Sequence, residues 1–163
     1  MTAETISPNI VEAGAMLVAG LAASHAGPGP AIARQWQTAV RRLQEVPGRI
    51  DGCTYGVIFD SPAGDCGFRY LAGVAVSSIP DLPEGLECLE VPALTFAVFP
   101  HRRHVSALPE TMHAIMNRWL PDAGYEHARE RVGFMERYDE SFDPVRGTGG
   151  LELWIPIVPK QRG

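Results

Sequence analysis

One pattern occurs twice along this chain, and the repeat constrains the fold more than any other feature. Ile32, Trp36, Ala39, Val40 and Leu43 recur at helical spacing, and Leu108, Met112, Ile115 and Trp119 match four of them at a shift of 76. Residues 55–60 match residues 134–139 at a shift of 79, three extra residues in one helix-to-strand loop making up the difference. Read as elements, the chain is strand, helix, strand, strand, and then the same again. Each half has an apolar sheet face and one amphipathic helix that cannot bury it alone. The expected class is therefore α+β: duplicated β-α-β-β halves form one antiparallel sheet, with two helices on one face, a pseudo-twofold axis, and a central groove where the halves meet.

The expected boundaries follow the punctuation. Residues 1–9 are a flexible lead-in, 10–159 a single domain with halves over about 10–77 and 86–159, and 160–163 a mobile tail. A first strand lies within 10–22, the Gly27-Pro28-Gly29-Pro30 break follows, and a helix runs over 31–45 until Pro47-Gly48. Strands over 53–60 and 68–76 join through the turn residues Ser61-Pro62-Ala63-Gly64-Asp65. They place Tyr55, Val57 and Phe59 on one face, and Phe68, Tyr70, Ala72, Val74 and Val76 on one face. Residues 86–100 read as one long strand interrupted at Pro92, with Leu94, Phe96 and Val98 sharing a face. The second helix opens on Ser106 as N-cap with Pro109 in its first turn and ends near Leu120; strands over 133–139 and 151–159 close the domain.

Composition excludes several functional classes. A chain of 163 residues buries about two-thirds of its unfolded surface, enough to fold without staples. Cys53, Cys66 and Cys88 are odd in number and widely spaced, which argues for reduced thiols. The apolar run over 13–23 contains Gly14 and Gly20 and is too short to cross a bilayer, and Met1-Thr2-Ala3-Glu4 lacks a basic leader, so the expected location is cytoplasmic with no membrane partner. A net charge of −5 with no long basic stripe argues against direct DNA binding. His101 and His104 have a spacing that metal sites use, but with no nearby Cys, Asp or Glu they read as a solvated loop. No metal and no cofactor is expected.

Within 133–139, Phe134, Glu136 and Tyr138 share one strand face while Met135, Arg137 and Asp139 share the other. An ionised carboxylate between two rings costs several kcal/mol if buried unpaired, so it must be protonated, paired with a base such as Arg69 or Arg137, solvated, or kept for a cationic ligand. At the shift of 79, Glu136 falls on Val57, which suggests an inward-facing position.

These residues also carry a family resemblance. Residues 55–60, Phe68-Arg69-Tyr70-Leu71-Ala72-Gly73-Val74, Asn117-Arg118-Trp119-Leu120-Pro121 with Gly124-Tyr125, Phe134-Met135-Glu136-Arg137-Tyr138 and Trp154-Ile155-Pro156-Ile157 together resemble the GyrI-like effector-binding domains of AraC-type and MerR-type regulators, which also occur as free-standing proteins, some on integron cassettes. The resemblance implies a small-molecule pocket between the halves, with an acidic residue on the penultimate strand meeting lipophilic cationic small molecules; Glu136 holds that position. It implies an aromatic lining, by position Phe134, Tyr138, Phe96, Tyr70, Trp119 and Trp154. Alternation sets Trp154 with Glu152, opposite Leu153 and Ile155, which equally suits a cover for the other side of the sheet. No helix-turn-helix module accompanies the domain in this sequence, so regulation would pass through an unknown protein partner.

Three functional classes follow. The leading one is a stand-alone receptor or sequestering protein, multidrug-binding in character, for hydrophobic and often cationic molecules, held by cation–π contact and a carboxylate. The second is a hydrolase of strained electrophilic compounds, implied by some relatives, with Glu136 as general base and Tyr138 or Tyr70 as proton donor; no independent catalytic motif supports it. The third is a protein-interaction modulator, since some free-standing relatives restrain a DNA-handling enzyme.

Overall fold

The computed structural model describes residues 7–26, 30–60, 67–79, 81–128 and 132–160. The lead-in up to residue 6, the Gly27-Pro28-Gly29 break, the 61–65 turn with Cys66, and residues 161–163 of the tail lie outside the described residues. Strands β1 (Asn9–Ala13) and β2 (Met16–His25) precede helix α1 (Pro30–Arg42), and β3 (Thr54–Phe59) and β4 (Phe68–Val76) complete the first half. The second half repeats this order with β5 (Glu87–Val91), β6 (Leu94–His101), α2 (Leu108–Ala114), β8 (Val132–Tyr138) and β9 (Leu151–Pro159), with a short β7 (Tyr125–His127) between helix and strand.

Pro92 does more than bulge one strand. Having no N–H, it cannot extend a ladder, and it separates β5 from β6, which lie towards opposite ends of the strand order β1-β6-β9-β8-β3-β4-β2-β5. The expected first strand is likewise two, divided at Gly14-Ala15. Both breaks face each other. The β1–β6 pairing ends at Ala13↔Leu94 and the β2–β5 pairing resumes at Met16↔Val91 without a change of register. Each half thus lends its first strand to the other, and the antiparallel sheet curls until residues from its two ends meet.

The curl buries both faces. One face gathers Val18, Leu89, Val91 and Phe96 with the central Val57, Leu71 and Met135 into one core. The other carries both helices. Helix α1 seats Ala39 on Tyr70 and Ala72, and α2 packs on Ala97, Phe99, Leu153 and Ile155. Burial on both sides explains why β4 is apolar at nearly every position rather than at alternate ones.

Register corrects the repeat at one point. Across β3 and β8, Val57 faces Met135 while Glu136 faces Gly56. Cross-strand partners share a sheet face, so Val57 and Glu136 lie on opposite faces, and the odd shift of 79 does not relate structurally equivalent positions. Val57 therefore carries no information about the surroundings of Glu136.

The helices differ from expectation in detail. Val40 is 54% exposed and lies outside the α1 stripe. His104, rather than Ser106, caps the turn before α2, its Nδ1 accepting the Ser106 N–H at 3.0 Å. Helix α2 continues through a π-helical turn (Ile115–Trp119) into a last α-turn (Leu120–Asp122) that accommodates Pro121. The wider turn places Leu120 with Ile115 in the core, and Trp119 packs half-buried against them.

Candidate functional site

Strand alternation brings Phe134, Glu136 and Tyr138 onto the helix-bearing face, Phe134 in the α2 cluster and Tyr138 beside Trp36 of α1. Glu136 is only 8% exposed and has no basic partner among the described residues. Arg69 pairs with Glu87 at 2.8 Å, and Arg137, on the other face, pairs with Glu152 at 3.1 Å. Two phenols take the place of a cation. The hydroxyl of Tyr70 donates to Oε1 of Glu136 at 2.5 Å and that of Tyr138 to the same oxygen at 2.8 Å. Oε2 takes no hydrogen bond from the described residues and retains some contact with solvent.

Around this pair the donors run in one direction. Trp36 on α1 gives its indole N–H to the Tyr70 hydroxyl at 2.9 Å, so that hydroxyl accepts one bond while donating its proton to Glu136. Beside Trp36, the buried Gln35 donates its amide to the carbonyls of Leu21 and Tyr70 at 2.9 and 2.8 Å, fastening α1 to β2 and β4. Adjacent residues of α1 thus fix both the backbone and the hydroxyl of Tyr70. Gly56 supplies the room: a Cβ there would overlap the Tyr70 hydroxyl and stand 2.6 Å from Oε1 of Glu136.

Burial pushes the Glu136 carboxyl above the ordinary range, and the two phenol hydrogen bonds pull against that shift. Burial, followed by the neighbouring Glu136 charge, holds Tyr70 and Tyr138 well above the ordinary phenol value, so both remain donors near neutrality. The product is a carboxylate with one oxygen engaged by two phenols, the other oxygen without a donor among the described residues, and no counter-charge there.

The other residues expected at a pocket divide between places. Phe134 shares this face, opposite Ile58 on β3, and both are half-buried, Phe134 in the α2 cluster and Ile58 in the α1 cluster. Trp119 packs in the same α2 cluster as Phe134, edge-on to Phe99 at 5.1 Å and stacked over Tyr125 at 6.2 Å. Phe96 and Trp154 are not on this face. They meet each other at 5.4 Å on the opposite face, because Phe96 pairs with Pro156 and Trp154 with Met135, all of which point into the curled core. The sequence reading missed Trp36 as a polar contact, having assigned it only to a packing stripe, and missed Gln35 and Gly56 altogether. It also missed Phe142, whose ring lies 4.8 Å from that of Tyr138, with Trp36 another neighbour of Tyr138 at 5.4 Å.

His101 is buried rather than solvated. Its Nε2 meets the His104 carbonyl at 2.9 Å and its Nδ1 meets Thr111 at 3.0 Å, a structural tie between β6 and α2. Among the described residues no group of three His, Cys, Asp or Glu side chains is placed to hold a metal, and no helix is long and apolar enough to cross a membrane.

Comparison with known proteins shows that this fold and site are those of a small-molecule binding domain family. Residues 7–158 match the GyrI-like small molecule binding domain, and the chain belongs to that family. It is 33% identical over 150 residues to the transcriptional regulator BrlR of Pseudomonas aeruginosa, a match that covers 91% of this chain and 54% of that protein. The chain thus spans about half the length of that relative. Among solved structures it is similar to SAV2435 bound to tetraphenylphosphonium, at 17% identity and a TM-score of 0.70 with 94% of each chain covered. It is similar also to the EcmrR C-terminal domain, at 14% identity and a TM-score of 0.72 over 95% of this chain and 99% of that one. An integron cassette protein from the mobile metagenome of Vibrio cholerae gives 14% identity and a TM-score of 0.63 over 92% and 95%.

Proposed function

We propose that this chain is a receptor or sequestering protein for lipophilic, often cationic small molecules, bound in the groove between α1 and α2 with Glu136 as the acidic anchor. The observation that carries the reading is a buried carboxylate held by two phenols, with Oε2 left without a donor among the described residues. A delocalised cation suits this arrangement. It adds the missing positive charge in a place of low dielectric, and its organic shell meets Trp36, Ile58 and Phe134. Tetraphenylphosphonium, to which SAV2435 is bound in its solved structure, is of this chemical kind and makes a rational probe. Access to the carboxylate requires the side chains over Glu136 to give way, and Trp36, half-buried and in contact with both phenols, is the first of these.

Calorimetric titration of tetraphenylphosphonium and of neutral triphenylphosphine oxide tests the reading in wild type and Glu136→Gln. The substitution is expected to weaken the cation by about 1–3 kcal/mol, as for other charge-assisted contacts, and to leave the neutral compound nearly unchanged. Because the empty carboxyl is raised, cation binding also releases protons where the free site is partly protonated. Equal losses for both compounds would remove Glu136 from the ligand site.

A further inference from the structure

We propose that Phe142 is a ligand-contacting residue of the same groove and sets its preference for aryl over alkyl cations; this rests on the binding reading above. Tyr138, one of the two donors to Glu136, is 7% exposed because rings from two different elements cover it. Trp36 of α1 stands edge-on to it at 5.4 Å and 72°, and Phe142, in the loop between β8 and β9, at 4.8 Å and 67°. Trp36 and Phe142 are themselves half-buried. A molecule approaching the carboxylate past Tyr138 therefore meets the surfaces of these two rings first.

The loop holds Phe142 in place. Oδ1 of Asp139 accepts the Ser141 N–H at 2.8 Å and the Ser141 hydroxyl at 2.6 Å, and the Phe142 N–H donates to the Asp139 carbonyl at 3.1 Å. The Asp139 N–H in turn donates to the Gly150 carbonyl at 3.0 Å, and Gly150, at φ 57°, leaves the space that the Asp139 carboxylate fills. The Ser141 bonds keep the Asp139 carboxyl below its usual range, so this clasp persists at neutral pH. A ring ordered before the ligand arrives loses little freedom on contact, and its negative face favours the positive edges of a ligand's aryl rings. Alkyl chains gain only nonspecific burial from the same ring.

The test compares tetraphenylphosphonium with tetrabutylammonium, similar cations with aryl and alkyl shells, on wild type, Phe142→Leu, Phe142→Ala and Glu136→Gln. Leucine retains apolar bulk without the ring, so Phe142→Leu is expected to melt near wild type. It should weaken tetraphenylphosphonium by about 2- to 12-fold and tetrabutylammonium by less than about 2-fold. Phe142→Ala should show the same selectivity. If both cations weaken equally, or neither changes, while Glu136→Gln still weakens both, the role of Phe142 is overturned and the binding reading stands. If wild type binds neither cation, both fall.

Discussion

Gly56 faces Glu136 directly across the β3–β8 ladder, and the Cβ it lacks would occupy the place of the Tyr70 hydroxyl. A side chain at this position and the Tyr70–Glu136 hydrogen bond are mutually exclusive without movement of the core. Both phenol contacts to Oε1 therefore depend on a residue that contributes no functional group.

Gly56→Ala is the corresponding prediction. Overfilling a packed site of this kind is expected to destabilise the protein by about 1–3 kcal/mol, and the gain in strand propensity from alanine is too small to offset it. Urea unfolding of wild type and variant gives the difference. A variant as stable as wild type would mean that Tyr70 can relocate freely and that its contact with Glu136 is incidental.

Glu136 should make stability depend on pH with a definite sign. Its carboxyl is raised in the folded state, chiefly by burial, so folding favours the neutral form. That contribution is complete below the ordinary carboxylate range, near pH 4, and is lost as pH rises through the folded-state value. Above the ordinary carboxylate range the raised carboxyl costs stability that Glu136→Gln restores, while the amide oxygen still accepts from both phenols. The variant is expected to be equal to or slightly more stable than wild type at pH 7.5, with that advantage shrinking towards pH 4.5. Urea midpoints at the two pH values check this, and a variant less stable at both would assign Glu136 a structural role.

Gln35→Leu should loosen α1 selectively. The substitution removes the donors to the Leu21 and Tyr70 carbonyls and the acceptor for His25, whose Nε2 lies 2.6 Å from the Gln35 oxygen. A loss of about 1–3 kcal/mol is expected, since leucine fills the space but cannot satisfy buried polar groups. Hydrogen exchange should accelerate in α1 well before α2. Uniform acceleration in both helices would show that Gln35 supports the whole fold rather than the fastening of α1.

Much of the architecture was legible because it follows from short-range periodicity. The stripe Ile32, Trp36, Ala39 and Leu43 gives a helix with one buried side, and the alternation over Phe68–Val76 gives a strand, whatever each packs against. The β5–β6 division was marked by Pro92, but local pattern shows only that pairing stops there, not that the chain crosses to the far side of a curled sheet. The stripe Leu108, Met112, Ile115 and Trp119 does face the core, but the burial of Leu120 beside it was not legible, because a π-turn inserts extra backbone that a regular 3.6-residue count does not anticipate.

The sequence by itself determined that Glu136 and Tyr138 share a face, since a strand has a period of two and the residues are two apart. It determined also that a carboxylate stands among aromatic side chains on that face. Only the tertiary structure decided that Gly56 rather than Val57 lies opposite, that Tyr70 and Trp36 complete the hydrogen-bond chain, and that Phe96 and Trp154 turn the other way. Tyr70 lies 66 residues from Glu136 in sequence. Contact across such a distance is set by pairing register and by the curl of the sheet, and a slip of one residue in register exchanges the two faces of a strand.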